Sequence, residues 1–171
     1  MVTIRPAGWD DLPAITEIYN EAVLTTTATF DTEPKTVDQR ADWFREHGER
    51  HPVLVAEAAG RVVGWASLSA WSPRRAYDDT AEVSLYVLAA HRGQGIGRQL
   101  MAAVLVAGRQ AGLHTILARV TEGNAVSVGL HHSAGFELVG VMREVGFKFG
   151  RRLDVHLMQL VWPDQIAAAE L

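Results

Sequence analysis

Apolar and polar positions follow two different periods along the chain, and the changes of period predict an alternation of strands and helices. A short apolar run predicts a strand at the start of the chain, and helical spacing then predicts a helix that Asp10 or Asp11 caps. Thr36 and Gln39 form a capping-box pattern, which predicts a second helix through about residue 47. The threonine-rich segment between these helices has no helical period, so we expect a loop that covers a site.

The alternation continues to the end of the chain. Strand-like runs cover residues 52–58, 62–71, 80–88, 113–120, 136–141 and 153–161. Helical spacing predicts helices over residues 95–108 and 125–134, and Gly135 fits a left-handed C-cap for the second. The order β-α-α-β-β-β-α-β-α-β-β, without repeats or an internal linker, predicts one α/β (α+β) domain over residues 1–171, with an appendage at residues 163–171.

Composition and charge narrow the classes of function. The chain has 171 residues, of which 48% are hydrophobic, and this suits a single domain with a sizeable core. A net charge of −4 gives no basic footprint, so we do not expect a nucleic acid as partner. The sequence contains no cysteine, which excludes an acyl-cysteine intermediate, and no apolar run long enough to span a membrane. We expect a soluble, cytoplasmic protein.

The segment Arg92-Gly93-Gln94-Gly95-Ile96-Gly97 joins the run at residues 80–88 to the third predicted helix. Its three glycines leave backbone N–H groups unshielded, and the following helix presents its own unpaired N–H groups and the positive end of its dipole. We therefore expect a pyrophosphate here, with Arg92 or Arg98 adding charge. The alternative for either arginine is an ordinary solvated side chain.

Two common phosphate loops do not match this segment. A dinucleotide-binding fingerprint would need a third glycine where the chain has Arg98 or Leu100. A P-loop requires a lysine followed by a hydroxyl residue, and neither stands at the start of this helix. The remaining pattern, (Arg/Gln)-x-x-Gly-x-Gly with Arg92, Gly95 and Gly97 in the defining positions, resembles the acyl-CoA pyrophosphate loop of the GNAT superfamily of N-acetyltransferases.

Three further segments narrow the resemblance. They are Ile18-Tyr19-Asn20-Glu21-Ala22-Val23 with Thr29-Phe30, Arg75-Ala76-Tyr77 leading into Thr80-Ala81-Glu82-Val83-Ser84-Leu85-Tyr86-Val87, and Gly146-Phe147-Lys148-Phe149-Gly150 before Leu153-Asp154. Together they look like the phosphinothricin and methionine sulfoximine acetyltransferases. The resemblance implies a mixed, mostly antiparallel central sheet with helices on both faces, acetyl-CoA as co-substrate, and a small amino-acid-like acceptor acetylated on its α-amine. It also implies a homodimer to which residues 148–150 and the C-terminal strands contribute.

Glu82 is the expected general base. It lies two residues before Ser84 and four before Tyr86, so strand alternation places the three side chains on one face. Polar groups on an otherwise apolar strand suggest a lined cleft, where Glu82 would deprotonate the amine directly or through water. The alternative is a solvent-facing carboxylate with no catalytic role.

The cofactor site is expected to combine main-chain and side-chain groups. A strand that splays from its neighbour leaves ladder donors and acceptors free, so residues 85–87 would pair with the pantetheine arm. Asn124 fits a helix N-cap and, by the resemblance, also contacts the cofactor arm, while Ser133 is carried over by family position. The expected cofactor-binding residues are Leu85, Tyr86, Val87, Arg92, Gly93, Gln94, Gly95, Ile96, Gly97, Arg98, Asn124 and Ser133.

His131 is the second expected catalytic residue. It stands where many superfamily members carry a tyrosine proposed to protonate the CoA thiolate, and the phosphinothricin enzymes resemble this chain in having histidine there. Imidazole can serve as acid or as base near neutral pH, so the division of roles between Glu82 and His131 stays open. The neighbouring His132 does not complete a metal site, because adjacent helical side chains point about 100° apart and no third ligand is evident.

The basic turn before the Glu82 strand is the expected acceptor site. Arg74, Arg75 and Tyr77 would lie at the acceptor side, where a guanidinium fork would bind an α-carboxylate. A solvated basic turn near Asp78 and Asp79 is the alternative. Two other functions fit the same scaffold: a protein or peptide N-terminal acetyltransferase, and a non-catalytic acyl-CoA-binding sensor.

Overall fold

The computed structural model describes residues 1–163. Of the predicted C-terminal appendage, all residues after Pro163 therefore lie outside the described residues. The helices are α1 (Leu12–Thr25), α2 (Val37–Arg45), α3 (Ile96–Gln110) and α4 (Ala125–Ser133). The strands are β1 (Val2–Pro6), β2 (Val53–Ala58), β3 (Arg61–Ala70), β4 (Thr80–Val87), β5 (Thr115–Thr121), β6 (Glu137–Lys148) and β7 (Arg151–Val161). The predicted order of helices and strands is confirmed, with short 3₁₀ turns between some of them.

Within residues 1–163 the strands form one seven-stranded sheet in the order β1-β2-β3-β4-β5-β7-β6. β4 and β5 pair in parallel, and the other neighbouring strands of this sheet are antiparallel. The expectation of a mixed, mostly antiparallel sheet is therefore confirmed. No helix in the described part of the chain is long and apolar enough to cross a membrane.

Alternation along the central strands divides the core between the two faces of the sheet. Val55 lies opposite Trp65, and both belong to the apolar cluster under α1 and α2. Leu54 lies opposite Ala66 in the next pair, and both belong to the larger cluster that α3 covers. Because successive strand residues point to opposite faces, helices cover both sides of the sheet, as expected.

The two predicted helix starts differ in the structure. The capping box of α2 is confirmed, because Thr36 Oγ1 accepts from the Gln39 N–H at 3.2 Å and Gln39 Oε1 accepts from the Thr36 N–H at 2.9 Å. Asp11 stands at the N-cap position of α1, as predicted, but its carboxylate accepts no hydrogen bond from that helix. It accepts instead from the Gly8 N–H and from the Arg5 guanidinium at 2.8 Å each, because a charged donor lies within reach on β1.

β6 is longer than its apolar pattern predicts. The register of its pairing with β7 shifts between Met142 and Gly146, and Glu144 has a positive φ of 52°. The Asp154 side chain accepts from the Glu144 N–H at 2.7 Å and so satisfies the backbone of this bulge. Polar residues at the bulge interrupt the alternation, although the strand continues beyond it.

Candidate active site

A cleft opens in the sheet where β4 and β5 separate. Their parallel pairing begins at Thr80 and Thr115 and ends at Glu82 and Leu117, although both strands continue. The resulting cleft has a volume of about 1790 Å³ and reaches from the glycine loop, residues 92–97, to Glu82 and His131. This exceeds the roughly 300–1,000 Å³ of a typical small-molecule pocket, so there is room for two substrates.

The glycine loop forms one end of the cleft. Gly93 and Gly95 have φ values of 74° and 80°, and Gly95 is the N-cap of α3. Both positions lie in the left-handed region that favours glycine, and the first N–H groups of α3 have no partner within the helix. The loop residues that line the cleft are Arg92, Gly93, Gly95, Ile96, Gly97 and Arg98. Gln94 is not among them, and its side chain donates to the Ala90 carbonyl at 3.4 Å.

The two arginines of this loop have different surroundings. Arg92 donates to the Val87 carbonyl at 2.9 Å and to Glu21 Oε1 at 3.2 Å. Glu21 also accepts from the Ala89 N–H at 2.8 Å, so Arg92 and Glu21 tie the loop to α1. Arg98 is exposed and forms no ion pair within the described residues. Its charge therefore remains available to a ligand in the cleft.

The predicted splay of β4 is confirmed. Leu85, Tyr86 and Val87 line the cleft and stay paired with β3, while on the β5 side no residue of the described sheet pairs with them. The Tyr86 ring is 4.9 Å from that of Trp65, and its hydroxyl donates to the Ala28 carbonyl at 3.4 Å. Main-chain groups of residues 85–87 that point toward β5 can therefore pair with an extended ligand.

Glu82 and Arg119 form an ion pair at the point where the strands separate. Arg119 Nε donates to Glu82 Oε1 at 2.6 Å, and Arg119 Nη2 donates to Glu82 Oε2 at 2.7 Å. The Glu82 side chain is 19% exposed and that of Arg119 is 53% exposed. Bonding to Glu82 raises the pKa of Arg119. Arg119 was not predicted from the sequence. The only sequence signal for it is that a charged side chain stands on a β-strand, on the same face as Thr121.

His131 enters the cleft from α4 and is buried. Its Nδ1 is 2.8 Å from the Ser127 carbonyl, which can only accept, so Nδ1 carries the proton and Nε2 keeps a lone pair. The ring packs edge-on against Phe136 at 5.1 Å between centroids. Burial lowers the pKa of His131 below its ordinary value of 6.5, although the bond to Ser127 opposes the shift. The resting ring is therefore neutral at pH 7.

Asn124 and Ser133 both line the cleft. Asn124 Oδ1 accepts from the Ser127 N–H at 3.1 Å, so its predicted role as N-cap is confirmed. Ser133 donates to the Leu130 carbonyl at 2.8 Å within its own helix. Residues 1–163 contain no group of three His, Cys, Asp or Glu side chains that could hold a metal ion.

The basic turn before β4 is not part of the cleft lining. Residues Arg75–Tyr77 form an exposed 3₁₀ turn, and neither they nor Arg74 line the cleft. The structure therefore does not bring Arg74, Arg75 or Tyr77 together with the predicted base, and their role in acceptor binding stays a prediction. Arg119 is the arginine that contacts Glu82.

The loop between α1 and α2 forms a wall of the cleft, as expected for a covering loop. Three consecutive carbonyls at residues 27–29 accept from Thr121 Oγ1 at 2.7 Å, Tyr86 Oη at 3.4 Å and Lys148 Nζ at 2.8 Å, respectively. Lys148 is buried, and burial lowers the pKa of its ammonium group. Side chains from three strands thus fix this loop against the sheet.

Comparison with known proteins agrees with this geometry. Residues 15–136 match the family model described as "Acetyltransferase (GNAT) family". An L-methionine sulfoximine/L-methionine sulfone acetyltransferase of Pseudomonas aeruginosa is 46% identical over 92% of this chain and 93% of its own. A phosphinothricin N-acetyltransferase of Alcaligenes faecalis is 40% identical over 92% of this chain and 81% of its own. A Salmonella typhimurium structure solved with its cofactor acetyl-CoA superposes with a TM-score of 0.93 and is 41% identical, covering 98% of this chain and 97% of that one.

Proposed function

The chain belongs to the acetyltransferase (GNAT) family, and from this we propose that it is a single-domain N-acetyltransferase that acetylates the α-amine of a small amino-acid-like acceptor. The observation that carries the proposal is the cleft between β4 and β5, which connects the glycine loop with Glu82 and His131. The relatives named for methionine sulfoximine and phosphinothricin support the class of acceptor.

The residues present fit acetyl-CoA as the co-substrate. The N–H groups of residues 93–98 and the charge of Arg98 would hold the pyrophosphate. The free main-chain groups of residues 85–87 and the amide of Asn124 would hold the pantetheine arm. Acetyl-CoA supplies an activated acetyl group as a thioester. Because the chain contains no cysteine, we propose direct transfer without an acyl-cysteine intermediate.

Glu82 and His131 divide the proton transfers. Glu82 attracts the acceptor ammonium and removes its first proton, directly or through water, so that the amine can attack. His131 Nε2 has a free lone pair in the resting enzyme and takes the second proton as the C–N bond forms. The same nitrogen then returns this proton to the departing sulfur, which leaves an amide and a free thiol.

An acceptor panel tests the proposed function. Purified protein, acetyl-CoA and a thiol reagent would be assayed with methionine sulfoximine, phosphinothricin, ordinary amino acids, polyamines and short peptides. We expect CoA release with one or more free amino-acid-like acceptors. Turnover with peptides alone would identify a protein acetyltransferase instead. Binding of acetyl-CoA without turnover of any acceptor would favour a sensor.

We also propose that β6 mediates a homodimer. β6 is an edge strand, and such an edge exposes main-chain groups that pair readily with a second chain. Exposed apolar side chains on and beside it are Leu138, Val139, Val141, Met142, Val145, Phe147 and Phe149. A patch of this kind on a folded domain favours a protein partner, and we propose a second copy of the chain as that partner.

Light scattering tests the dimer. Phe147 is 63% exposed at the β6 edge, so Phe147→Glu should shift the mass from dimer to monomer. Leu24→Glu is the control, because Leu24 is a similarly exposed apolar residue on α1. A wild-type mass equal to the monomer would contradict the proposal.

A further inference from the structure

Arg119 has an unused hydrogen-bonding edge in the cleft. A guanidinium group can bind carboxylates along two edges, one formed by Nε and Nη2 and the other by Nη1 and Nη2. Glu82 occupies the first edge, with both of its oxygens bonded. Nη1 has no hydrogen-bond partner among residues 1–163, although the side chain lines the cleft and is half exposed. The second edge is therefore available to a ligand beside Glu82.

We propose that Arg119 selects acceptors that carry a carboxylate next to the amine. One edge of its guanidinium holds Glu82, and the other binds the acceptor carboxylate, so that the ammonium group lies beside the Glu82 oxygens. An α-amino acid presents both charges within two bonds, which complements a base and an arginine in direct contact. This inference rests on the proposed function and assigns its acceptor selectivity to a single residue.

The other arginines of the cleft are less suited to this role. Arg92 is bonded to Glu21 and to the Val87 carbonyl. Arg98 lies in the first turn of α3, next to the glycine loop, and Arg151 lies 3.6 Å from the Glu122 carboxylate. Among the arginines that line the cleft, Arg119 is the one that contacts the base.

A purely structural role for the Glu82–Arg119 pair makes a different prediction. If Arg119 only orients Glu82, its loss should slow acetylation of every amine to the same extent. If its free edge binds the acceptor, its loss should penalise acids specifically. The informative comparison is therefore between an amino acid and its amide, which has the same side chain and amine but no carboxylate.

The test measures kcat/KM for the acid and the amide, together with calorimetric binding of each to the enzyme–CoA complex. We expect the wild-type enzyme to prefer the acid. Arg119→Met should reduce this preference by roughly 10- to 100-fold, as loss of a charged hydrogen-bonded pair implies. Arg119→Lys should keep more of the turnover on the amide than Arg119→Met does. It should still lose most of the preference for the acid, since an ammonium group has no second edge. Arg109→Met, an exposed arginine of α3, is the control.

Three results would overturn the inference. Equal losses on acid and amide, with the preference kept, would reduce Arg119 to a positioning residue and leave the proposed function intact. Loss of the preference in Arg75→Met but not in Arg119→Met would assign the carboxylate to the basic turn. If the wild-type protein binds CoA but neither binds nor acetylates any amino acid or amide, the proposed function fails, and this inference fails with it.

Discussion

Glu82→Gln keeps the size of the side chain but removes the charge and the site that accepts a proton. We expect kcat to fall by about 10²- to 10⁴-fold, the range for loss of a general base. The affinity for acetyl-CoA, measured by calorimetry, should stay unchanged, because Glu82 lies at the end of the cleft away from the glycine loop. Glu17→Gln, an exposed glutamate of α1, is the control. Unchanged turnover of the Glu82 variant would remove this residue from the mechanism.

The pH profile of kcat/KM tests His131. Burial lowers its pKa, so the wild-type rate should fall on the acid side with a midpoint below the ordinary value of 6.5, as Nε2 becomes protonated. His131→Gln should lose most of its activity and should no longer show this acid limb. A limb that persists unchanged in the variant would belong to another group.

The residues that could be predicted share one property: their signal is local in the chain. The glycine loop, Glu82 and His131 each stand in a short motif whose chemistry can be read from its neighbours. Arg119 was missed because its role comes from the pairing of two strands that are 37 positions apart at the ion pair. Arg75 stood in an equally suggestive motif, yet its turn lies outside the cleft.

At the scale of elements, hydrophobic period and capping predicted the order of strands and helices but not every boundary. β6 continues past its apolar run because Asp154, on the neighbouring strand, satisfies the bulge at Glu144. Asp11 occupies the N-cap position of α1, but its carboxylate does not bond to that helix because Arg5 and the Gly8 N–H hold it. In both cases a partner from another element decided the local conformation, and a single segment contains no information about that partner.

The covering loop and β6 interlock at Gly146. A Cβ atom at this position would collide with the ring of Phe30, whereas a Cβ at Gly140 of the same strand would meet no atom within 4 Å. We expect Gly146→Ala to lower the free energy of unfolding by about 1–3 kcal/mol and to raise the KM for the acceptor, because the loop lines the cleft. Gly140→Ala is the matched control, and denaturant titration gives the comparison.

A double-mutant cycle identifies the cause of that loss. In a Phe30→Ala background the ring is absent, so Gly146→Ala should lower the free energy of unfolding by much less than it does in the wild-type protein. Equal losses of unfolding free energy in both backgrounds would show that Gly146 is needed for its backbone conformation rather than for the space that Phe30 occupies.

At the scale of the whole molecule, one change of strand direction produces the site. The antiparallel neighbours of the described sheet pair over five to eight positions, whereas β4 and β5 pair over three and then diverge. The opening places Glu82 on the face covered by α1, while His131 packs against Phe136 in the core on the α3 face. A substrate between the strands would thus meet one proton-accepting group from each side of the sheet.

Buried and half-buried histidines make the stability of the whole fold sensitive to mild acid. Burial lowers the pKa of His47, His51 and His131, so the unfolded chain binds protons more readily than the native protein. Stability is therefore greatest above the ordinary histidine pKa of 6.5 and falls as pH decreases toward the native values. The pKa of Asp11 is lowered from 3.8, so its protonation changes the stability only at a lower pH than that of the histidines.

Calorimetric Tm values between pH 7.5 and pH 5.5 test this dependence, and His47 is the informative site. His47 Nδ1 donates to the Trp43 carbonyl at 2.8 Å, and Nε2 lies 2.9 Å from Ser69 Oγ. Burial of the ring lowers its pKa, although the bond to Trp43 opposes the shift. We expect the wild-type Tm to fall on acidification and His47→Gln to fall less steeply, whatever its Tm at pH 7.5. A wild-type Tm that is constant across the interval would mean that these rings become protonated in the native state as readily as in the unfolded chain.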